Sequence, residues 1–526
     1  MLCDLDLSSP HVCPELEPAS ADDNSDNTPP LAYPTNFMGD ESGVLSIDFV
    51  IAGGSLCGLS AAIALRRVGH NVIVVDRSSP YEPTKFDSGI RLPPNSTKHY
   101  YRWGLKERLH AVSVKSQGTL FASFYSGAIA GKHSWADSIL EELGGDTLCM
   151  HYTPLRKVLA EYATEMGVNI IIENISSVHP DPVKPSLTLE SGDVLTGDVV
   201  LGADGYVFEG NVCRTALLDA LGQDHKSTWM GMHLFSCDIP GANLARLEDK
   251  DMLAQLQQGG KVFTWYGSGC GALGFPMKSM TVAVLLRVDE LLASLKDSNP
   301  QLQEIAQQSA RITVVPMANH SSLDEWAYPG GRLLCIGEGA HPTPVGSLFS
   351  AAMCTCDAAC LGRLFSHLTR HDQIDTLLYA VQEIREGPVA SVFKAASGNI
   401  FATSLPPGIV ERDDDERARA ERGLASLGGG VDSLAPSPEM IEVVEQLFGY
   451  DAEDEADNWW VNWGLMQERA MRRELSEKRG LPVIFERGEG SGKKSLAAQL
   501  AYMAYENEPS FEYMYMYVRL VNIGVS

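Results

Sequence analysis

The sequence lacks the features of a membrane or secreted protein. No run of about 20 consecutive apolar residues, the length that a helix needs to cross a bilayer, occurs in it. Its eleven cysteines are an odd number scattered along the chain, and no apolar secretory leader is recognisable. We therefore expect no transmembrane span, no disulfide framework and a reducing, cytoplasmic setting.

Positive charge is scarce as well. The chain has 41 Lys and Arg against 68 Asp and Glu, which gives a formal net charge of -27. A nucleic-acid surface needs clustered basic residues to displace counterions, so we expect no nucleic-acid partner. Cys354, Cys356 and Cys360 lie close together but do not complete a tetrahedral ligand set, so we expect small packing residues and no metal site.

What the sequence does contain is enough apolar content for a large core. With 526 residues, 44% of them hydrophobic, the chain is expected to fold into two or three domains. Residues 47–76 have the pattern of strand, Gly-rich turn, helix and strand, and from residue 332 the pattern of strand, Gly-rich loop and helix returns. We therefore predict an α/β protein in which a discontinuous Rossmann-like nucleotide-binding domain carries an inserted mixed β-sheet domain and a C-terminal helical extension. The predicted divisions are a disordered acidic leader over residues 1–43, the nucleotide-binding domain over residues 44–225 and 331–404, the inserted sheet over residues 226–330, and a partly disordered extension over residues 405–526.

The first glycine-rich loop has the context of a dinucleotide-binding site. Residues 47–52 form an apolar run typical of a buried parallel strand, and Gly53, Ser55 and Gly58 then occupy the three fingerprint positions. A helical pattern and a second strand follow, and Asp76 closes that strand where a carboxylate can accept hydrogen bonds from ribose hydroxyls. A turn of this kind directs backbone N–H groups towards a pyrophosphate at a helix N-terminus.

The same glycine spacing recurs at Gly269, Gly271 and Gly274. A β-branched run over residues 281–286 follows, where a nucleotide-binding loop would need a helix. We therefore predict a hairpin loop of the inserted sheet at this place.

Three further segments carry a resemblance to a known family. They are GIRLPPN at residues 89–95, followed shortly by RWGL, GADG at residues 202–205, and GEGAHP at residues 337–342. With these segments in this order, the chain resembles the flavoprotein aromatic hydroxylases, which include salicylate and para-hydroxybenzoate hydroxylases, over about residues 45–400. The resemblance implies that the nucleotide-binding domain binds FAD and that the inserted sheet is the substrate domain.

The chain departs from the family's pattern at several flavin positions. Glu338 stands where the family usually has Asp, and Tyr152 stands where it often has an Arg that contacts the flavin, with Arg156 as the nearest substitute. Phe349 and Ser350 replace a Gln-Gly pair at a helix start whose dipole can stabilise the reduced flavin. The resemblance implies these FAD-binding residues: Gly53, Ser55, Gly58, Asp76, Gly89, Tyr152, Asp204, Gly337, Glu338, Gly346 and Ala351.

The resemblance also implies the chemistry of an FAD-dependent monooxygenase. NADH or NADPH would reduce the flavin, O2 would add at the flavin C4a, and the hydroperoxide would transfer one oxygen to an aromatic or related electron-rich small molecule. His233 and Tyr266, on predicted strands of the inserted sheet, are candidates for the catalytic group that removes a phenolic proton. Phe275 and Pro276 are expected to line the substrate face.

Other interpretations remain open. One is a flavin epoxidase or oxidase of secondary metabolism, and another is a catalytically degenerate protein of the same fold that serves for binding. Trp459, Trp460 and Trp463 follow an acidic stretch and could form a patch for a partner or a cap over the flavin domain, of which we favour the cap.

Overall fold

The computed structural model describes the parts of the chain that carry most of the predicted motifs. No helix in these parts is long and apolar enough to cross a membrane. Two compact units divide the chain, residues 1–461 and residues 462–526, and the fold and the site described below belong to the first. The predicted flavin residue Gly346 and most of the predicted leader lie outside the described residues, which are 43–83, 87–127, 129–134, 137–206, 211–225, 227–246, 260–267, 270–277, 280–286, 295–343, 347, 349–404, 448–466 and 469–470.

Strands and helices alternate through the first part of the chain. The strands of the described residues are β1 (Asp48–Ala52), β2 (Asn71–Asp76), β3 (Gly89–Leu92), β4 (Val114–Lys115), β5 (Gly118–Ser123), β6 (Ile129–Ser134), β7 (Leu148–His151), β8 (Asn169–Ile172), β9 (Ile175–His179), β10 (Ser186–Leu189), β11 (Val194–Thr196), β12 (Val199–Gly202), β13 (Thr228–Ile239), β14 (Lys261–Gly267), β15 (Cys270–Pro276), β16 (Met280–Leu286), β17 (Arg311–Asn319) and β18 (Leu333–Cys335). The α-helices are α1 (Leu56–Arg67), α2 (Pro94–Arg102), α3 (Lys106–Val112), α4 (Asp137–Leu143), α5 (Tyr152–Glu165), α6 (Val212–Leu221), α7 (Gly241–Leu244), α8 (Pro300–Gln307), α9 (Ser350–Phe365), α10 (Ile374–Ser404) and α11 (Ala452–Trp459).

A five-stranded parallel sheet forms the nucleotide-binding part, in the order β18-β12-β1-β2-β8. Its central strand β1 is an apolar run because helices cover both faces of such a sheet, and four of its five residues are buried. Helix α1 connects β1 to β2, as the apolar periodicity predicts. The strand that precedes the second glycine loop, β18, joins the same sheet, so the domain is built from two separated parts of the chain.

A mixed seven-stranded sheet lies beside it, in the order β17-β13-β16-β15-β14-β5-β6. Its pairs are antiparallel except for β14 with β5, which run parallel. The sheet therefore takes β5 and β6 from the segment that the sequence assigns to the first part of the flavin domain. Strands β14 and β15 form the predicted hairpin, with Gly271 and Gly274 inside β15, which confirms that these glycines build a sheet and not a second nucleotide loop.

Helix α9 is the centre of the helical layer and is buried along almost its whole length. Its small side chains let it pack closely on α1, and a Cβ added at Gly362 would lie 2.7 Å from the Cβ of Ala64. The buried cysteines Cys354, Cys356 and Cys360 belong to this packing, as predicted. Because α1 and α9 each begin at a glycine loop, their contact brings the two loops together.

Candidate functional site

The first glycine loop is too tight for side chains at two positions. Gly53 has a φ of +104°, and a Cβ there would lie 2.4 Å from the carbonyl oxygen of Ala203. A Cβ at Gly58 would lie 1.8 Å from the carbonyl oxygen of Gly53. The Ser55 hydroxyl donates to the Ala203 carbonyl oxygen at 3.5 Å instead of capping α1. The N-terminus of α1 therefore offers backbone N–H groups to an anion.

Asp76 lies at the end of β2 and already accepts three hydrogen bonds and one ion pair from the chain itself. Its Oδ2 accepts from the backbone N–H of Gly54 at 2.6 Å, and its Oδ1 accepts from the N–H and hydroxyl of Ser78 at 2.8 and 2.9 Å. The Nη2 of Arg156 lies 3.1 Å from Oδ1. A carboxylate has about four acceptor positions, so a ribose hydroxyl would have to replace one of these donors, and the Ser78 hydroxyl can rotate away.

Arg156 is buried and fixes the glycine loop to the end of β2. Its Nε donates to the carbonyl oxygen of Gly54 at 2.8 Å, and its Nη2 donates to that of Ser78 at 2.9 Å. Its Nη1 donates to the carbonyl oxygen of Ser79 at 3.0 Å and to the Ser78 hydroxyl at 3.2 Å. With the contact to Asp76, these bonds occupy the guanidinium, so Arg156 positions the loop. Its role as a substitute for the family's flavin-contacting arginine stays a prediction.

Tyr152 stands beside the first glycine loop. Burial raises the pKa of Tyr152 to about 12, and the backbone N–H of Leu56, the first residue of α1, opposes this rise from beside the hydroxyl. Gly89 pairs with His151 across β3 and β7, and the Tyr152 N–H donates to the carbonyl oxygen of Ser88 at 3.0 Å. The fold thus brings Gly89, Tyr152 and the start of α1 together, as the predicted flavin site requires.

Asp204 follows β12 at the same edge of the parallel sheet. Its Oδ2 accepts from the backbone N–H of Cys213 at 3.1 Å, while its Oδ1 is buried and has no hydrogen-bond partner among the described residues. Burial raises the pKa of Asp204 to about 7. The neighbouring Arg214 donates to the carbonyl oxygen of Gly339 at 2.6 Å, which links this motif to the second glycine loop.

The second glycine loop is held from behind by a buried carboxylate that the sequence reasoning missed. Asp357 Oδ2 accepts from the backbone N–H of Gly337 at 2.8 Å and lies 2.6 Å from the Nε2 of His341. Its Oδ1 accepts from the Nε of Arg385 at 2.8 Å. Burial alone would raise the pKa of Asp357, but His341 and Arg385 outweigh it and hold that pKa at about 2. A carboxylate in the middle of an apolar helix was the available signal, because a buried charge must be paired.

Glu338 reaches the N-terminus of α9. Its Oε1 accepts from the hydroxyl of Ser350 at 2.7 Å and from that of Thr343 at 3.0 Å. The extra methylene of Glu, compared with the family's usual Asp, gives the carboxylate this reach. Ala351 is buried in the first turn of α9. A Cβ at Gly337, whose φ is +60°, would lie 2.6 Å from the sulfur of Cys57 in α1, so the two loops are in contact.

The two catalytic candidates lie apart on the seven-stranded sheet. His233 is on β13 and Tyr266 is on β14, with β16 and β15 between these strands. At the usual strand spacing this separation is about 14 Å, so the two residues do not form one acid–base pair. Each stays a separate prediction.

An apolar cluster joins this sheet to the small sheet β3-β7-β4. It consists of Cys149, Val262 and Phe275, with Leu273 and Met277 packed against it. The guanidinium of Arg91 lies over the Phe275 ring, 4.9 Å from the ring centroid. Phe275, which the sequence places on the substrate face, therefore lies at the junction of the two parts of the fold.

The residues present fit FAD. The backbone at Gly53 and Gly337 approaches its neighbours more closely than any side chain allows, and both positions adjoin a helix N-terminus that can bind an anion. Residues 46–392 match the FAD binding domain family. The chain belongs to this family. The flavin domain predicted from sequence and the family match cover the same sheet and the same helices α1 and α9.

The similar proteins are monooxygenases and hydroxylases by name. FAD-dependent monooxygenase OpS4 of Beauveria bassiana is 25% identical over 438 residues, covering 79% of this chain and 98% of the relative. The 3-hydroxybenzoate 6-hydroxylase of Polaromonas naphthalenivorans is 22% identical, covering 60% of this chain and 78% of the relative. A salicylate hydroxylase substrate complex has the same fold, with a TM-score of 0.61 at 15% identity, covering 78% of this chain and 97% of that structure.

These findings confirm the main predictions made from sequence. The resemblance to the flavoprotein hydroxylases, the α/β fold class, FAD as the cofactor and the class of FAD-dependent monooxygenases are all borne out. The roles of individual residues, the electron donor and the substrate stay predictions.

Proposed function

We propose that this chain uses NADH or NADPH and O2 to insert one oxygen atom into an aromatic or related electron-rich small molecule, with FAD as its cofactor. The observation that carries the proposal is the contact between the two glycine loops. Gly53 lies against Ala203, beside Asp204, and Gly337 lies against Cys57, so motifs far apart in sequence form one cradle. Such a convergence is what a long dinucleotide cofactor needs.

Different residues of the chain would bind different parts of the cofactor. The N-terminus of α1, with Ser55 and the Tyr152 hydroxyl beside it, would hold the pyrophosphate, and Asp76 would hold the adenosine ribose. Glu338 and Asp204 would accept hydrogen bonds from the ribityl side, and the N-terminus of α9 at Ala351 would face the flavin ring. When bound, FAD supplies the redox chemistry, accepting electrons from the nicotinamide and activating O2.

The substrate would bind at the apolar junction around Phe275. A cluster of this kind excludes water, and the Arg91 guanidinium on the Phe275 ring would attract an acidic aromatic group. The names of 3-hydroxybenzoate 6-hydroxylase and salicylate hydroxylase support an aromatic substrate. His233 or Tyr266 would remove the phenolic proton, and single substitution to Gln or Phe distinguishes the two by which one lowers kcat.

The test begins with the absorbance spectrum of the purified chain with and without added FAD. It continues with oxidation of NADH and of NADPH against a panel of phenolic acids, and with mass analysis of the product formed under ¹⁸O2. We expect flavin bands, substrate-stimulated oxidation of one nicotinamide and a product that carries one labelled oxygen. If the protein does not bind FAD at a saturating concentration, the proposed enzymatic function is wrong and the catalytically degenerate binding protein is the remaining interpretation.

The same product analysis decides between hydroxylation and the epoxidase or oxidase alternative. A hydroxylated ring carries the label on a phenolic carbon, an epoxide carries it across a former double bond, and an oxidase returns the oxygen as peroxide with an unlabelled product. Hydroxylation is the expected outcome.

A further inference from the structure

A stretch beyond the family match is packed into the flavin domain. Residues 448–461, here named the C-terminal segment, follow the matched residues 46–392 in sequence. Ala452 and Ala456 of this segment are fully buried and Trp459 is 8% exposed. The segment is therefore part of the core, with Trp459 inside the main apolar cluster and Trp460 packed against it. The cap that the sequence predicts from Trp459, Trp460 and Trp463 stays a prediction.

Ion pairs fix the segment to α2. The Nζ of Lys98 donates to the carbonyl oxygen of Gly449 at 2.7 Å and lies 3.4 Å from the carboxylate of Asp451. Arg102 pairs with Asp451 at 2.6 Å and with Glu453 at 3.2 Å. Asp451 and Glu453, together with His99, could geometrically surround a metal ion, but two cations already compensate these carboxylates, so we interpret the group as an anchor.

One contact of the segment reaches the start of α9. The ring of Phe448 stacks on that of Phe349, with centroids 5.8 Å apart and an angle of 23°. Phe349 is the residue that precedes α9, and both rings are 7% exposed. The position of this helix N-terminus, which would face the flavin ring, is therefore coupled to Phe448.

A second contact reaches the loop of Gly337. The guanidinium of Arg385 lies over the ring of Tyr450, 4.9 Å from its centroid. The same guanidinium holds Asp357, which in turn accepts the N–H of Gly337. The segment thus supports both the loop and the helix that the second flavin motif provides.

The opposite end of the segment contacts the opposite end of α9. Trp460 stacks on His367, with centroids 4.6 Å apart and an angle of 6°, and Asp457 pairs with Arg363. Helix α9 has 16 residues, so this contact lies about 24 Å from the helix start. The segment therefore offers two stacked aromatic pairs of which one adjoins the flavin motif and the other does not.

We propose that the C-terminal segment is a positioning element of the FAD site, in which Phe448 and Tyr450 hold the N-terminus of α9 and the Gly337 loop in the arrangement that binds the cofactor. The proposal rests on the proposed function, because it assumes that FAD binds there. Binding is tighter when the groups that contact a ligand are already ordered, so loosening this support should weaken FAD more than it weakens the fold.

The experiment compares Phe448→Ala with Trp460→Ala in the full chain. Each variant removes one ring of a stacked pair on the same segment. Phe448→Ala is expected to raise the Kd for FAD about three- to tenfold and to change the visible circular dichroism of the bound flavin. Trp460→Ala is expected to lower the Tm without changing either flavin signal. Tyr450→Phe keeps the ring beneath Arg385 and should bind FAD as the wild type does, whereas Tyr450→Leu should bind it more weakly.

The outcomes separate this proposal from the proposed function. If the wild type binds FAD and Phe448→Ala binds it equally well, the positioning role is wrong while the enzyme stands. Equal losses in Phe448→Ala and Trp460→Ala would also overturn it, because the segment would then act through stability alone. If Phe448→Ala does not fold, Phe448→Leu replaces it, because leucine keeps apolar volume without the stacked ring. We expect this variant also to bind FAD more weakly than the wild type, by a smaller factor, with no comparable fall in Tm.

Discussion

At the scale of single residues, the glycines of this site differ in what they are needed for. Gly58 is needed because a Cβ would overlap the carbonyl oxygen of Gly53, whereas Gly387 in α10 has open space where a Cβ would lie. Both are glycines inside helices, and only the first belongs to the glycine loop that would hold the cofactor. Comparing alanine substitutions at Gly58 and Gly387 therefore distinguishes the effect of an added methyl group on the glycine loop from its effect on any helix.

We expect Gly58→Ala to abolish or greatly weaken FAD binding and to lower the free energy of unfolding by about 1–3 kcal/mol, because the loop must move to admit the methyl group. Gly387→Ala is the matched control and should leave FAD binding unchanged. Because Gly387 precedes Pro388, whose ring crowds a Cβ on the preceding helical residue, we expect no gain in helix stability from it. Fluorescence titration with FAD and urea unfolding measure the two effects. Wild-type affinity in Gly58→Ala would contradict the assignment of this loop to the cofactor.

Asp204 leads to a prediction about pH. Its pKa is raised by burial to about 7, so the folded chain binds this proton more tightly than the unfolded chain does. The resulting stability is fully present below the unfolded pKa of about 4 and is lost as the pH rises through about 7. Asp204→Asn does not titrate and its side-chain oxygen can still accept from Cys213. Between pH 5 and pH 8 we expect the Tm of Asp204→Asn to fall less than the Tm of the wild type. If the two proteins show the same dependence of Tm on pH, Asp204 is not a buried, protonated carboxyl group.

At the scale of elements, the sequence was sufficient for the parts built from local patterns. The run from β1 to β2 was predicted within a few residues because strand, glycine turn, helix and acidic strand end all follow from neighbouring residues. Asp357 and Arg385 were missed because their roles depend on the packing of α9 against α10, which no local pattern reports. The partners of Arg156 were not predictable either, since they come from the first glycine loop, from the end of β2 and from the residues just after it, and only the fold brings these together.

The N-terminus of α9 carries the third prediction. Glu338, held there by Ser350 and Thr343, places a carboxylate where the helix dipole would otherwise favour an anionic reduced flavin. Glu338→Gln keeps an acceptor for both hydroxyls and removes a negative charge. We expect the two-electron reduction potential of bound FAD to rise by about 30 mV, which corresponds to a tenfold change in the redox equilibrium. Glu165→Gln, which removes an exposed carboxylate paired with Arg108 at the C-terminal end of α5, should leave the potential unchanged.

At the scale of the whole molecule, the assembly of the seven-stranded sheet could not be predicted from sequence. Strand β5 pairs in parallel with β14, although more than a hundred residues separate them. The sequence of neither strand indicates which strand it will pair with. The C-terminal segment is a similar case, because its aromatic residues are informative only once α9 stands beside them. The first feature belongs to the seven-stranded sheet, and the second connects the C-terminal segment to the flavin domain. The candidate site therefore depends on long-range contacts that the motifs alone do not describe.

Arg311 joins the seven-stranded sheet to the residues that precede β3, and it is the subject of the last prediction. It leaves β17 of the seven-stranded sheet, pairs with Asp238 on β13 and donates to the carbonyl oxygen of Asp87 at 2.6 Å. Asp87 in turn accepts from the backbone N–H of Thr153 at the start of α5, close to the first glycine loop. The position of the seven-stranded sheet relative to the first glycine loop is therefore expected to depend on this guanidinium.

We expect Arg311→Met to bind FAD normally but to release more hydrogen peroxide for each nicotinamide oxidised, because a displaced substrate no longer meets the activated oxygen and water enters the site. Arg332→Met is the matched control, since Arg332 pairs with Asp375 at 3.0 Å within the flavin domain. Peroxide and hydroxylated product, measured together, give the coupled fraction. A coupled fraction that falls in Arg311→Met and holds in Arg332→Met would tie oxygen transfer to the position of the seven-stranded sheet relative to the first glycine loop, whereas an equal fall in both variants would reduce the effect to a general loss of stability.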